Sequence, residues 1–270
     1  MILLYLAVAA AYLAAAWIEW RRISLPASGS AAGVAAIALW LPPCAIAIHA
    51  VLISGAVFTG NGVNLSLANA LSVVAALIAL LSWLGTLTHA LPGVAAVAFP
   101  VAAVGVLLPA LFPSLHRLSF VSGPWAALHI AVALLAYTLL MVAALQALVL
   151  MALEKRLHRG LPDPGPDSLP PLLTLERSLF RLVTAGYALL TLTVMSGALF
   201  SEQIFGKPLT FNHKTVFSLL SWMVFGGLLY GRHRYGWRGR TALIWILAGS
   251  ALLLLAYFGS KFVLEVVLGR

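Results

Sequence analysis

The chain contains apolar runs of about 18 residues or more, long enough to cross a hydrocarbon core about 30 Å thick. Charged residues make up 9% of the sequence and hydrophobic residues 63%, whereas an ordinary globular chain is about 25% charged. So few charges could not cover a soluble domain of this size, which leaves an integral membrane protein. Eight apolar segments can be marked, at 2–19, 31–53, 65–88, 93–112, 125–153, 180–200, 214–231 and 241–264.

The length and uniformity of these segments favour helices over the alternating strands of a membrane barrel. A helix satisfies every backbone N–H and C=O group within its own segment, as the bilayer interior demands. We therefore predict an all-α, polytopic bundle of about eight transmembrane helices that forms a single domain over residues 1–270.

The basic residues predict how the bundle is oriented. If successive segments cross the membrane in opposite directions, eleven of the sixteen Lys and Arg residues fall on the same side of it. The positive-inside rule makes that side cytoplasmic. Both termini are then outside. These eleven residues are Arg21, Arg22, Lys155, Arg156, Arg159, Arg177, Arg181, Arg232, Arg234, Arg238 and Arg240. The net charge of +9 thus reflects membrane orientation, and no nucleic-acid partner is expected.

The predicted inner loop 154–179 is a connector between two spans and too short for a domain. Its prolines, at Pro162, Pro164 and Pro166, exclude a continuous helix there. The stretch Thr174-Leu-Glu-Arg-Ser178 predicts the start of an amphipathic helix that leads into the sixth span.

Enzyme signatures are missing from the sequence. It has no His-Glu-x-x-His, no phosphate-binding loop and no Gly-x-Ser-x-Gly. The pair Ser196-Gly197 is too common a dipeptide to indicate an intramembrane protease. None of the seven acidic residues lies in the middle of a span, which weakens proton-coupled transport. We expect the protein not to be an enzyme.

Histidine is the residue type that carries candidate chemistry. Counting 1.5 Å per residue along each span, His49, His129 and His213 fall near the outer boundary of the bilayer, on three different helices. His89 falls at the inner end of the third span. Three imidazoles in one layer suit a haem or metal site, although each could instead be an interfacial residue that bonds headgroups or a neighbouring helix.

Haem fits this layer better than zinc does. No carboxylate or cysteine joins the histidines to complete a tetrahedral zinc site. A haem needs only one or two imidazoles and an apolar slot. The candidate axial ligands are His129 and His213, with His49 and His89 as secondary candidates, and no metal other than haem iron is expected.

Several motifs together resemble one family. They are His49, Asn64-Leu-Ser-Leu-Ala-Asn69, Trp125-Ala-Ala-Leu-His129, Leu135-Ala-Tyr137, Thr174-Leu-Glu-Arg177, Asn212-His213-Lys214-Thr215 and Gly236-Trp237-Arg238-Gly239-Arg240. The chain resembles the cytochrome c assembly proteins, the haem-handling group that includes CcsA, ResC and CcmC, and within it the short YpjD/HemX-like branch.

The resemblance implies a multi-pass protein of the bacterial cytoplasmic membrane that holds or relays haem at its outer face. His129 matches the first outer haem ligand of the family. The family's tryptophan-rich outer segment is missing, since residues 201–213 contain no tryptophan. The resemblance therefore implies haem binding and leaves open delivery to apocytochrome and covalent attachment. We expect non-covalent, b-type haem, with the bilayer and other cytochrome maturation proteins as partners. A non-haem assembly scaffold and a small-solute permease remain the alternatives.

Overall fold

A computed structural model describes residues 2–24, 32–59, 62–113, 117–118, 124–158, 172–199 and 213–256. Eight helices lie in these ranges, and each overlaps one of the predicted apolar segments, which confirms the all-α membrane fold. They are α1 (Ile2–Ser24), α2 (Ala32–Val57), α3 (Leu67–Leu87), α4 (Val94–Leu111), α5 (Pro124–His158), α6 (Leu172–Leu199), α7 (His213–Tyr235) and α8 (Gly239–Leu254).

The first six of these helices, α1 to α6, are long and apolar enough to cross a membrane. Within the described residues α8 is apolar but only 16 residues long. The helix α7 has 23 residues and carries three basic side chains in its last turn. The helix α6 begins at Leu172, so the amphipathic stretch predicted at 174–178 continues directly into the span.

Three very short strands, which the sequence did not predict, join two connections of the bundle. They are β1 (Phe58–Thr59), β2 (Gly62–Asn64) and β3 (Arg117–Leu118), in antiparallel order β1-β2-β3. Val63 pairs with Phe58 on one side and Leu118 on the other. The α2–α3 and α4–α5 connections therefore lie at the same end of the bundle. We call it the sheet end, and the opposite end, where α5 finishes and α6 begins, the connector end.

The segment between the sheet and α3 is fixed by the side chain of Asn69. Its Nδ2 donates to the carbonyls of Asn64 (3.0 Å) and Ala56 (3.2 Å). Ser66 caps α3, because its Oγ accepts a hydrogen bond from the Asn69 backbone N–H at 3.3 Å. The sequence motif from Asn64 to Asn69 is thus a structural joint between α2 and α3.

The helices bury two apolar clusters. One lies among α1 to α4 and centres on Tyr12, Ala45 and Phe99. The other joins α3 and α4 to α5 through α8 and includes Leu140, Leu179, Phe225 and Ile246. Where α3 and α4 cross, Gly105 lies directly against the Ala75 Cβ, so a side chain at position 105 would separate the two helices.

Polar side chains link helices in the second cluster by bonding to backbone carbonyls across the interfaces. Ser221 donates to the Gly249 carbonyl at 2.8 Å, and Ser250 donates to the Leu140 carbonyl at 3.4 Å. Gln146 of α5 donates through Nε2 to the Leu175 carbonyl of α6 at 3.0 Å. Such bonds are typical of helices associating in a membrane, where an unsatisfied polar group is costly.

Ten of the eleven basic residues predicted for the cytoplasmic side lie at the connector end or in the helical turns beside it. The eleventh, Arg159, is outside the described residues. Arg21 and Arg22 are in the last turn of α1, and Arg232 and Arg234 are in the last turn of α7. This clustering agrees with the charge pattern used for the topology, while the side of the membrane that the end faces stays a prediction.

Candidate functional site

His129 lies five residues into α5, at the sheet end, and contacts the last turn of α6. Its Nδ1 is 2.8 Å from the Oγ of Ser196, and the imidazole is half-buried. Ser196 Oγ in turn donates to the Thr193 carbonyl at 3.2 Å. When the serine hydroxyl donates to this carbonyl, its oxygen accepts from the Nδ1–H of His129, and we assign the pair in this direction.

That hydrogen-bond direction sets the tautomer of His129. With the proton on Nδ1, the lone pair is on Nε2, the nitrogen that would bind a metal. The ring lies beside Gly197, where a Cβ would be in ordinary contact with the His129 Cε1, at 3.5 Å. The imidazole therefore rests against the α6 backbone, in an orientation that Ser196 holds.

The first turn of α7 lies near this imidazole. The positive charge of Lys214 acts electrostatically on His129, and His213 is the exposed first residue of the same helix. Further along α7, Trp222 donates from Nε1 to Thr191 Oγ1 of α6 at 2.9 Å. The structure thus brings the N-terminus of α7 to the His129 region. It records no contact between His129 and His213 among the described residues.

His49 is in a different environment from His129. Its side chain is fully buried in the cluster among α1 to α4. Its Nδ1 is 3.1 Å from the Tyr12 hydroxyl and its Nε2 is 3.0 Å from the Ser72 Oγ. Both ring nitrogens are therefore hydrogen-bonded, and an axial role for His49 would require one of these bonds to break.

His89, the other secondary candidate, lies in the turn between α3 and α4 at the connector end. It is exposed, and its backbone has a φ of 52°. The helix α3 runs from the sheet end to this turn, so His89 is separated from the His129 region by the length of a span. The structure does not bring the two together.

The donor set at the sheet end consists of imidazoles and hydroxyls. In the described part of the chain, no group of three or more His, Cys, Asp or Glu side chains is positioned to hold a metal ion. His116, in the predicted outer loop, lies outside the described residues. A planar cofactor that needs only one or two imidazoles is chemically compatible with this set.

The sequence offers His129 as a candidate but does not indicate Ser196, the residue that orients it. In the sequence Ser196 is part of the common pair Ser196-Gly197, and nothing in one sequence pairs position 129 with position 196. Tyr12 and Ser72 were missed for the same reason. The one available signal was their polarity inside apolar runs, where a hydroxyl needs a hydrogen-bond partner.

Comparison with known proteins gives a family match over most of the chain. The cytochrome C assembly protein family matches residues 38–268. The inner membrane protein YpjD of Escherichia coli K12 is 29% identical over 225 residues, which cover 83% of this chain and 84% of YpjD. An uncharacterized 28.8 kDa protein of Azospirillum brasilense is 40% identical over 147 residues, 54% of each chain.

Another relative is named for cytochrome c biogenesis. The cytochrome c biogenesis protein CcsA of Thermosynechococcus vestitus is 25% identical over 170 residues, covering 50% of this chain and 53% of that protein. No solved structure matches the chain significantly.

Proposed function

The chain belongs to the cytochrome c assembly protein family, and we propose that it binds one haem non-covalently at the sheet end, with His129 as an axial ligand. In this proposal the protein holds or relays haem near the outer face of a bacterial cytoplasmic membrane. It is a binding protein without catalytic activity of its own. A haem so held would supply an iron centre with a replaceable coordination position.

The observation that carries the proposal is the hydrogen bond between His129 and Ser196. A metal-binding histidine generally donates its second ring N–H to a fixed partner, which sets the tautomer and the ring orientation. Ser196 has this role for His129, at 2.8 Å. His49 uses both ring nitrogens within the bundle, and we assign it a structural role.

His213 is the second ligand in this proposal. It begins α7, one residue before Lys214, whose charge acts on His129. An exposed imidazole on the first turn of a helix can approach a cofactor from the aqueous side of His129. The ammonium of Lys214 is also of the right sign to pair with a carboxylate of such a ligand.

In the predicted topology the sheet end faces the aqueous outer side of the membrane. This position suits a protein that exchanges haem with other proteins. YpjD of Escherichia coli is named an inner membrane protein, and CcsA is named for cytochrome c biogenesis. We propose the same membrane for this chain and membrane proteins of cytochrome maturation as its partners.

Haem occupancy separates this proposal from the alternatives of a non-haem scaffold and a solute permease. The full chain would be purified in mild detergent from haem-replete cells, and its visible spectrum recorded before and after dithionite. We expect a Soret band with sharp bands on reduction, as six-coordinate haem gives. A colourless preparation whose spectrum does not respond to added hemin would refute the proposal.

A further inference from the structure

A cavity of about 300 Å³ lies at the connector end, between the end of α5 and the starts of α6 and α8. Eight of its ten lining residues are apolar or glycine, among them Leu150, Leu173 and Phe180. Leu150 follows His129 by 21 residues of α5, which is roughly 32 Å along the helix. The cavity is therefore separate from the proposed haem site, and the inference below does not depend on haem binding.

The other two lining residues are carboxylates with different partners. Glu176 accepts a hydrogen bond from Arg232 at 3.3 Å, and the Arg232 guanidinium lies 3.4 Å from the centre of the Phe180 ring. Glu154 is half-buried and forms no ion pair with any described residue. A lone carboxylate at the edge of an apolar cavity favours a ligand with a positive group attached to an apolar body.

On each of the three helices a basic residue follows one of the lining residues in sequence. Lys155 follows Glu154, Arg177 follows Glu176, and Arg240 follows Gly239, which lines the cavity. All three basic residues are exposed. Basic groups at this level of a transmembrane bundle are suited to lipid phosphates. The site thus combines an apolar space, a carboxylate for a cation and cations for a phosphate.

We propose that this cavity binds a membrane phospholipid whose head group carries a primary ammonium, as phosphatidylethanolamine does. The part of one acyl chain nearest the glycerol occupies the space beside Leu150 and Leu173. The ammonium donates hydrogen bonds to Glu154, and the phosphate pairs with the neighbouring basic side chains. The primary ammonium is the recognised group, because it has three N–H donors for the carboxylate, whereas the quaternary ammonium of phosphatidylcholine has none.

The test compares three lipids with identical acyl chains on the full-length protein. The purified chain, stripped of lipid by exchange into detergent, is titrated with phosphatidylethanolamine, phosphatidylcholine or phosphatidylglycerol and examined by native mass spectrometry. We expect one phosphatidylethanolamine bound per protein, about tenfold more tightly than either of the others. A hydrogen bond to a charged group is worth about this much.

Three variants assign the effect to the cavity. Glu154→Gln should remove the preference for phosphatidylethanolamine. Glu19→Gln is the matched control, because Glu19 pairs with Arg22 at 3.1 Å on α1 and should leave the preference unchanged. Leu173 is 49% exposed, so Leu173→Trp should be tolerated by the fold. It should weaken binding of all three lipids by filling the apolar space.

The proposal fails if the wild-type chain binds the three lipids equally. It also fails if the chain prefers phosphatidylglycerol, because the basic side chains alone would then select the head group. It also fails if Glu154→Gln keeps the preference. If Leu173→Trp binds lipid as well as the wild type does, the lipid lies elsewhere on the surface and the cavity is not its site. Circular dichroism of each variant checks that the helices are intact.

Discussion

The Nδ1 of His129 lies 2.8 Å from the Oγ of Ser196, so the last turn of α6 orients an imidazole that α5 carries. The two residues are 67 positions apart in sequence. The orientation of the His129 ring therefore depends on how the antiparallel helices α5 and α6 pack. A change in α6 that never touches haem should therefore alter haem affinity.

Ser196→Ala is the direct measure of that dependence. Removing the hydroxyl leaves the His129 ring free to rotate and to adopt the other tautomer. We expect hemin affinity to fall about tenfold, because loss of an orienting partner typically costs 10- to 100-fold in metal affinity. The measurement is a hemin titration followed in the Soret region. Ser250→Ala, which removes a hydroxyl bonded to the Leu140 carbonyl instead, should bind hemin as the wild type does.

The axial ligands are tested by His129→Ala and His213→Ala. Haem iron with two imidazoles is low-spin, and loss of one gives a five-coordinate or water-bound centre. Each single variant should therefore shift the spectrum towards high spin, and the double variant should lose the haem. His158→Ala, at the exposed end of α5, is the control. An unchanged Soret band in the double variant would move the search to His49 and His89.

Gly197 offers a steric test that leaves both histidines in place. A Cβ here would be in ordinary contact with His129 Cε1, at 3.5 Å. Gly197→Ala should consequently be nearly silent, whereas the branched side chain in Gly197→Leu should displace the ring and lower hemin affinity at least several-fold. The pair is compared by hemin titration at matched protein concentration. Equal affinities for the two variants would contradict the described packing of the ring.

Tyr12, His49 and Ser72 should affect stability more than haem. Tyr12→Phe removes one interhelical hydrogen bond, which in membrane proteins is worth about 0.6 kcal/mol on average and about 1.7 at most. His49→Ala should cost more, because it leaves both hydroxyls without their shared partner. Thermal unfolding in detergent measures both. A His49→Ala variant that retains its stability and loses the haem spectrum would show that His49 is a ligand.

The predicted orientation is tested by cysteine labelling. On a Cys44→Ser background, a cysteine in place of Ser168, in the segment outside the described residues, should resist a membrane-impermeant maleimide in intact cells. It should react after lysis. Labelling before lysis would invert the topology and place the proposed haem site on the cytoplasmic side.

The sequence alone was sufficient to predict the helices, because the apolar runs are long and the bilayer allows few other backbone structures. It also placed His129 and His213 near the starts of two helices at the same end of the bundle. The hydrogen-bond partners could not be predicted, since they depend on helix rotation and crossing, which the uniformly apolar faces leave undetermined. His49 illustrates this. Counting residues along its span groups it with His129, whereas the structure buries it among α1 to α4 with Tyr12 and Ser72 as partners.

The short strands escaped prediction because two or three residues carry no periodic pattern. Their pairing nevertheless constrains how the chain enters the membrane. The strand β2 can meet β3 only after the chain has been synthesised through the α3–α4 hairpin to Leu118, and only if the hairpin has returned the chain to the side that β2 already occupies. A nascent chain with this hairpin inverted or left uninserted cannot close the sheet. Closure of these few backbone hydrogen bonds therefore depends on insertion of α3 and α4 as a pair, and all of its residues precede α5 to α8 in the chain.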